Sequence, residues 1–150
     1  MARETLEELQ AQEDELQFSS FSNDDAWALG CALVEAAREQ GLPVAIDISR
    51  GEQRLFHYGM PGSAADNDEW IERKNRVVRR FGRSSYYMGV QEGEAFAGNY
   101  LLDERLYAAH GGAFPVRVRD VGVVGTVTVS GLPQEEDHRF VVGVLRAFLG

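Results

Sequence analysis

A lysine in the middle of an apolar helix face is the side chain here best placed to do chemistry. Wound at about 3.6 residues per turn, Trp70, Ile71, Val77, Val78 and Phe81 share one face, and Lys74 falls at its centre. Two uses fit that position. The methylenes can cover core while the ammonium snorkels out or meets a carboxylate. Alternatively the cation forms the floor of a pocket, where burial disfavours the charged form and the group binds an anion or acts as a base near neutral pH. On the opposite face Arg73, Arg76, Arg80 and Arg83 line up, with Arg79 beside them. Their guanidinium forks suit carboxylates and phosphates. They equally suit a solvated face, or ion pairs with an acidic surface such as Glu4, Glu7, Glu8 and Glu15 of the same or a neighbouring subunit.

The other reactive side chains are scattered. His57, His110 and His138 lie far apart with none of the short spacing of a zinc motif, so no metal site is expected. His57, on an alternating strand, reads as a hydrogen-bonded core or rim residue. His110 precedes two glycines and reads as a loop residue, and His138 sits among Glu135, Glu136 and Asp137 on the last helix. Cys31 is the single cysteine, which excludes an internal disulfide, and it reads as a packed thiol. Asp24 and Asp25 read as helix-end charges. No phosphate loop, nucleophile elbow or Ser/His/Asp order is present, so no catalytic residue is assigned.

The elements that must position these groups follow from periodicity and punctuation. Residues 3–15 favour helix, with Leu6, Leu9 and Leu16 giving a thin apolar stripe that must dock on something. Ser22-Asn-Asp-Asp25 caps a second helix through Gln40, stopped by Gly41 and Pro43. Alternation in Val44, Ile46, Ile48 and in Arg54, Phe56, Tyr58 around Arg50-Gly51-Glu52 predicts a hairpin. Turn formers from Pro61 lead to a third helix over Asp68–Phe81, ended by Gly82. Residues 84–112 are broken by Gly89, Gly93 and Gly98, with a helix expected over Tyr100–Ala109 and Leu102 and Leu106 inward. Phe114–Arg119 and Val121–Ser130 predict a second hairpin, and Val141, Val144, Leu145 and Phe148 mark a closing helix. Thr126, Thr128 and Ser130 share one strand face, free to meet water or line a cleft. Tight turns between adjacent strands permit only antiparallel pairing, which gives a layered α+β domain.

With 150 residues, 44% of them hydrophobic, the chain is one domain with a real core. Its 24 acids against 15 Lys and Arg give a net charge of -9, which excludes a nucleic-acid partner. No apolar run approaches a membrane span, and the acidic N-terminus is unlike a signal peptide, so a cytoplasmic protein is expected.

The stretch Gly122-Val-Val-Gly-Thr-Val-Thr-Val-Ser-Gly-Leu-Pro-Gln-Glu-Glu-Asp-His138, with His110-Gly-Gly-Ala-Phe-Pro-Val-Arg-Val upstream, resembles the heme-degrading HbpS/GlcG-like family (DUF336) in its UPF0303 branch. Family helices of the form Ala-x-x-Lys-Ala-x-Thr-Ala, followed by Phe and a Ser/Thr pair, are matched here at Lys74, Phe81 and the first serine of Ser84-Ser85. Asn75, Val77 and Val78 stand where that pattern has Ala, Thr and Ala, and Asp66-Asn-Asp-Glu-Trp70 resembles the UPF0303 branch. The resemblance implies a profilin-like antiparallel sheet flanked by helices, here a single domain over 1–150 with an N-terminal helical extension over 1–16. It also implies heme as a ligand, with Lys74 and the arginines holding propionates, Trp70 and Phe81 as walls and His57 near iron. The expected function is a non-catalytic homo-oligomer that binds a small anionic ligand or a protein partner, the unattached amphipathic helix favouring self-association. The alternative is heme binding or degradation. The candidate ligand-binding residues are Lys74, Trp70, Arg73, His57, Phe81, Ser84 and Ser85.

Overall fold

Side chains alternate across a strand, and here the alternation gives the sheet one apolar and one polar face, both buried. The computed structural model describes residues 3–150, so the first two residues of the 1–16 extension lie outside the described residues. Strands β1 (Ala45–Arg50), β2 (Gln53–Gly59), β3 (Ala113–Val118) and β4 (Gly122–Ser130) form one antiparallel sheet in the order β2-β1-β4-β3. Ile46, Ile48, Phe114, Val116, Val127 and Val129 point to the apolar side. There Leu29, Leu33 and Ala37 of α2 (Asn23–Gln40) and Val141 and Leu145 of α6 (Gln134–Leu149) complete the core. On the other face Asp47, Ser49, Thr126, Thr128 and Ser130 are buried beneath α3 (Ala65–Phe81). The hydroxyl row of β4 therefore meets a helix, not water. This is the α+β architecture expected, an antiparallel sheet flanked by helices.

The helix ends obey local chemistry. Ser22 and Asp25 exchange hydrogen bonds in a capping box, and Gly41 closes α2 in the left-handed region at φ 66°. The third helix begins at Ala65, one turn before the expected Asp68, because the Asn67 side-chain oxygen accepts the Ala64 N–H at 2.8 Å. The phase of α2 turns Gly30 and Leu33 inward, which leaves Cys31 exposed and not packed as expected. A Cβ at Gly30 would lie 2.3 Å from the Phe56 ring, so the glycine is what lets β2 approach α2.

The expected helix over Tyr100–Ala109 is absent. The chain instead forms α4 (Ser85–Glu92), a 3₁₀ turn at Gly93–Ala95 and α5 (Phe96–Tyr100), which Leu101 ends with φ 54°. The following segment is irregular because its carbonyls are taken from outside. Arg73 donates to Glu104 O at 2.7 Å and Arg76 to Leu106 O at 3.1 Å. Leu102 joins a second apolar cluster around Val77, Met88 and Phe96, while Leu106 is exposed.

The N-terminal helix α1 (Leu6–Glu15) is docked on its own chain, contrary to the unattached helix expected. Leu9, Leu16 and the Glu13 carboxylate are buried. Glu13 accepts the Ser84 N–H at 3.2 Å, and Gln12 Oε1 lies 2.8 Å from His138 Nε2. Glu4 pairs with Arg139 and Glu15 with Arg146, both at 2.8 Å. So Glu4 and Glu15, at the two ends of this segment, meet arginines of α6, Glu13 faces Arg117 of β3, and Arg83, just past α3, bonds to Gln10. Just beyond α1, Phe18 pairs in parallel with β3. Its N–H donates to Arg117 O and its carbonyl accepts from the Arg119 N–H, an isolated bridge across the end of β3, while β2 is the opposite edge of the sheet. Among the described residues no helix is long and apolar enough to cross a membrane.

Candidate functional site

Lys74 is the only lysine in the chain, every other strong cation being arginine. It is 3% exposed, deep between α3, the end of β4 and the first turn of α6. Its Nζ donates to Asp137 Oδ2 at 3.2 Å and to Val129 O at 3.3 Å. Gly112, at φ 138°, makes room for it, since a Cβ there would lie 2.7 Å from Nζ. Asp137 is also buried, and its second oxygen accepts the Leu132 N–H at 3.0 Å. Burial lowers the Lys74 ammonium and raises the Asp137 carboxyl to about 6, each against the attraction of the other.

The pair floors a cavity of about 280 Å³ walled by Trp70 and His110 and closed by Asn67, Ser130 and Gln134, with Asp66 also on its lining. The His110 ring lies over Trp70 with centroids 5.2 Å apart, and Arg73 stacks 4.3 Å from the Trp70 centroid on the other contact. Burial, then the Lys74 and Arg73 cations, lower the His110 pKa from its ordinary value and so favour the neutral ring. His110 and Asp137 belong to this cavity, although by sequence the first reads as a loop residue and the second as one of three acids on the last helix. A count of lysines would have strengthened the reading of Lys74.

Not all the expected site residues come together. Trp70 lines the cavity with Lys74, and Arg73 stands beside it. Phe81 packs against Phe96 and Tyr100 in the second apolar cluster. Ser84 caps α4 by accepting the Tyr87 N–H, and Ser85 accepts the Ala113 N–H, so both hydroxyls serve the backbone. His57 is held on β2 with Nδ1 3.3 Å from Asp47 and Nε2 3.1 Å from Asp68. Asp47 is fully buried and also accepts from Ser49, Arg54 and Asn75, while Thr128 donates to Asn75 Oδ1. This network welds the polar sheet face to α3.

Residues 21–146 match the family described as haem-degrading protein HbpS-like. The chain belongs to the HbpS-like family. This HbpS-like chain is 59% identical over 149 residues to a UPF0303 protein of Streptomyces coelicolor, covering 97% of this chain and 94% of the relative. It is similar to the crystal structure of the Ybr137w protein, with a TM-score of 0.91 and 40% identity over 98% of this chain and 88% of that one. The crystal structure of a PduOC:heme complex shares the fold, with a TM-score of 0.69 and 22% identity over 85% of this chain and 94% of that one.

Heme is the ligand that the family description suggests, but the residues expected to hold it do not fit it at this cavity. Lys74 is already engaged by Asp137 over a volume of about 280 Å³, under the roughly 300–1,000 Å³ of pockets for drug-sized ligands. Both ring nitrogens of His57 face carboxylates, and Phe81 stands in another cluster.

Proposed function

We propose that this UPF0303 chain is a cytoplasmic, non-catalytic, homo-oligomeric domain that binds a small anionic ligand over Lys74. The observation carrying the reading is the chain's single lysine, buried at the floor of a small cavity walled by Trp70 and His110. Nζ has three protons and, among the described residues, two protein acceptors. Asn67 and Gln134 each give their side-chain oxygen to a backbone N–H, which leaves their amide donors for a ligand. Propionate at about a hundred times its Kd is expected to add about 2.7 kcal/mol, which raises Tm by about 5–10 °C. Lys74→Met should abolish the shift; an equal shift in that variant defeats the reading.

A second reading, heme binding, is favoured by the groove beside the cavity. It measures about 690 Å³, shares His110 and Gln134, and adds Arg73, Tyr86, Phe96 and Tyr107. Hemin titration decides between the two. A saturable Soret shift at one heme per chain, lost in His110→Ala, selects heme; a featureless response removes it.

Self-association is supported by Trp27, 64% exposed, and Tyr58, 42% exposed, on the side of α2 and β2 next to the open edge. Light scattering on a sizing column should give a multiple of 16.7 kDa. A strict monomer contradicts this part of the proposal.

A further inference from the structure

We propose that Lys74 is a covalent capture site, whose amine condenses with a small α-oxo acid to form an imine inside the Trp70 cavity. This rests on the anion-binding reading above and names its ligand class. Among the described residues, the carboxylate pairs elsewhere use arginine, as at Arg54, Arg117, Arg139 and Arg146, or the His57 ring. Arginine forms the better fork with a carboxylate and cannot lose its proton. At the one buried cation beside a cavity the chain instead places the residue that can become a nucleophile. Its contacts at 3.2 and 3.3 Å are also longer than the roughly 2.7–2.9 Å of a strong charge-assisted bond. Burial acts on both partners in the direction of the neutral amine and neutral acid.

The chemistry closes on residues present. Nζ passes a proton to Asp137 Oδ2, and its lone pair attacks the ligand's carbonyl carbon, forming a C–N bond as the carbonyl π pair moves to oxygen. That oxygen takes the Asp137 proton, and the nitrogen returns one of its own to Asp137. The carbinolamine hydroxyl then leaves with this proton as water while the nitrogen lone pair forms the C=N bond. The product is an iminium beside an Asp137 carboxylate, with the starting charge and one water released. Asn67 and Gln134 line the cavity with amide donors that suit the ligand's carboxylate, and the volume admits a few non-hydrogen atoms, as in pyruvate.

The test is reductive trapping of the full-length protein with pyruvate and sodium cyanoborohydride, followed by peptide mass mapping. Because the chain holds one lysine, the N-terminal amine is an internal control for nonspecific reaction. The expected result is a reduced pyruvate adduct on the Lys74 peptide at least tenfold above that on the N-terminal peptide, suppressed by excess propionate. An adduct confined to the N-terminus, or none, overturns the imine. If propionate still raises Tm in that case, the anion site survives without the covalent step; if it does not, both fall. The mapping is read on the natural chain, so the outcome does not depend on Lys74→Met remaining folded.

Discussion

Asp137→Ala is expected to cost about 3–5 kcal/mol of stability, the usual effect of removing one partner from a buried ion pair. The carboxylate does two jobs at once. It lies 3.2 Å from the Lys74 ammonium and accepts the Leu132 N–H at 3.0 Å, so its loss strands a cation and a backbone donor at the start of α6. Against a typical total of about 5–15 kcal/mol, this is a large fraction. Urea unfolding should show the midpoint falling with little change in slope. Pairing the change with Lys74→Met should recover part of the loss, because no charge is then left alone. A single-variant cost below about 1 kcal/mol would show that the pair is as weak as a surface one.

The second large effect concerns pH and belongs to the neighbouring side chain. His138 is 1% exposed between the rings of Tyr86 and Phe114, with Nδ1 unpartnered, and burial pushes its pKa from 6.5 down to about 4. The unfolded chain therefore takes up a proton that the folded chain refuses. Its contribution is complete above pH 6.5 and is lost as pH falls through about 4, an amount of roughly 3 kcal/mol. Asp137 runs the other way. Its carboxyl, raised from 3.8 to about 6, stabilises the fold fully below pH 3.8 and ceases to do so as pH rises through 6. The Glu13 carboxyl, raised chiefly by burial, acts in the same sense as Asp137.

The natural chain should thus show a shallow stability profile between pH 4 and 6, and single substitutions should unmask each half. His138→Phe, which keeps a ring between Tyr86 and Phe114, is expected to become more stable as pH falls through that window. Asp137→Ala should lose stability over the same range more steeply than the natural chain. Urea midpoints at several pH values provide the measurement. Parallel profiles for all three proteins would remove both titrations from the account.

What could be read from the sequence divides along a physical line. The capped α2, both hairpins and the inward face of α3 come from patterns held within a dozen residues, and Lys74 stood out because its apolar neighbours are one turn away. Asp137 did not, because Glu135, Glu136 and Asp137 are the acids expected at any helix start. Only the packing of α3 against the end of β4 turns the third of them inward, onto a lysine 63 positions away. His110 became a cavity wall for a similar reason. Its segment has little ladder of its own and is ordered by Arg73 and Arg76 gripping its carbonyls. Two members of the arginine row, which suggested an anion site or a solvated face, are spent on that fastening, while Arg83 reaches Gln10.

The bridge at Phe18 bears on what the sheet can do in company. Sheets extend by adding strands to bare edges, and a molecule with two such edges can grow without limit. Here the last residue of β3 is bridged by the chain's own Phe18, whereas β2, the opposite edge strand, pairs only with β1. Any copy joined at β2, edge to edge, presents its β3 side outward, with Phe18 across the end of that strand. The short run after α1 thus narrows the second edge at which a further strand could be added.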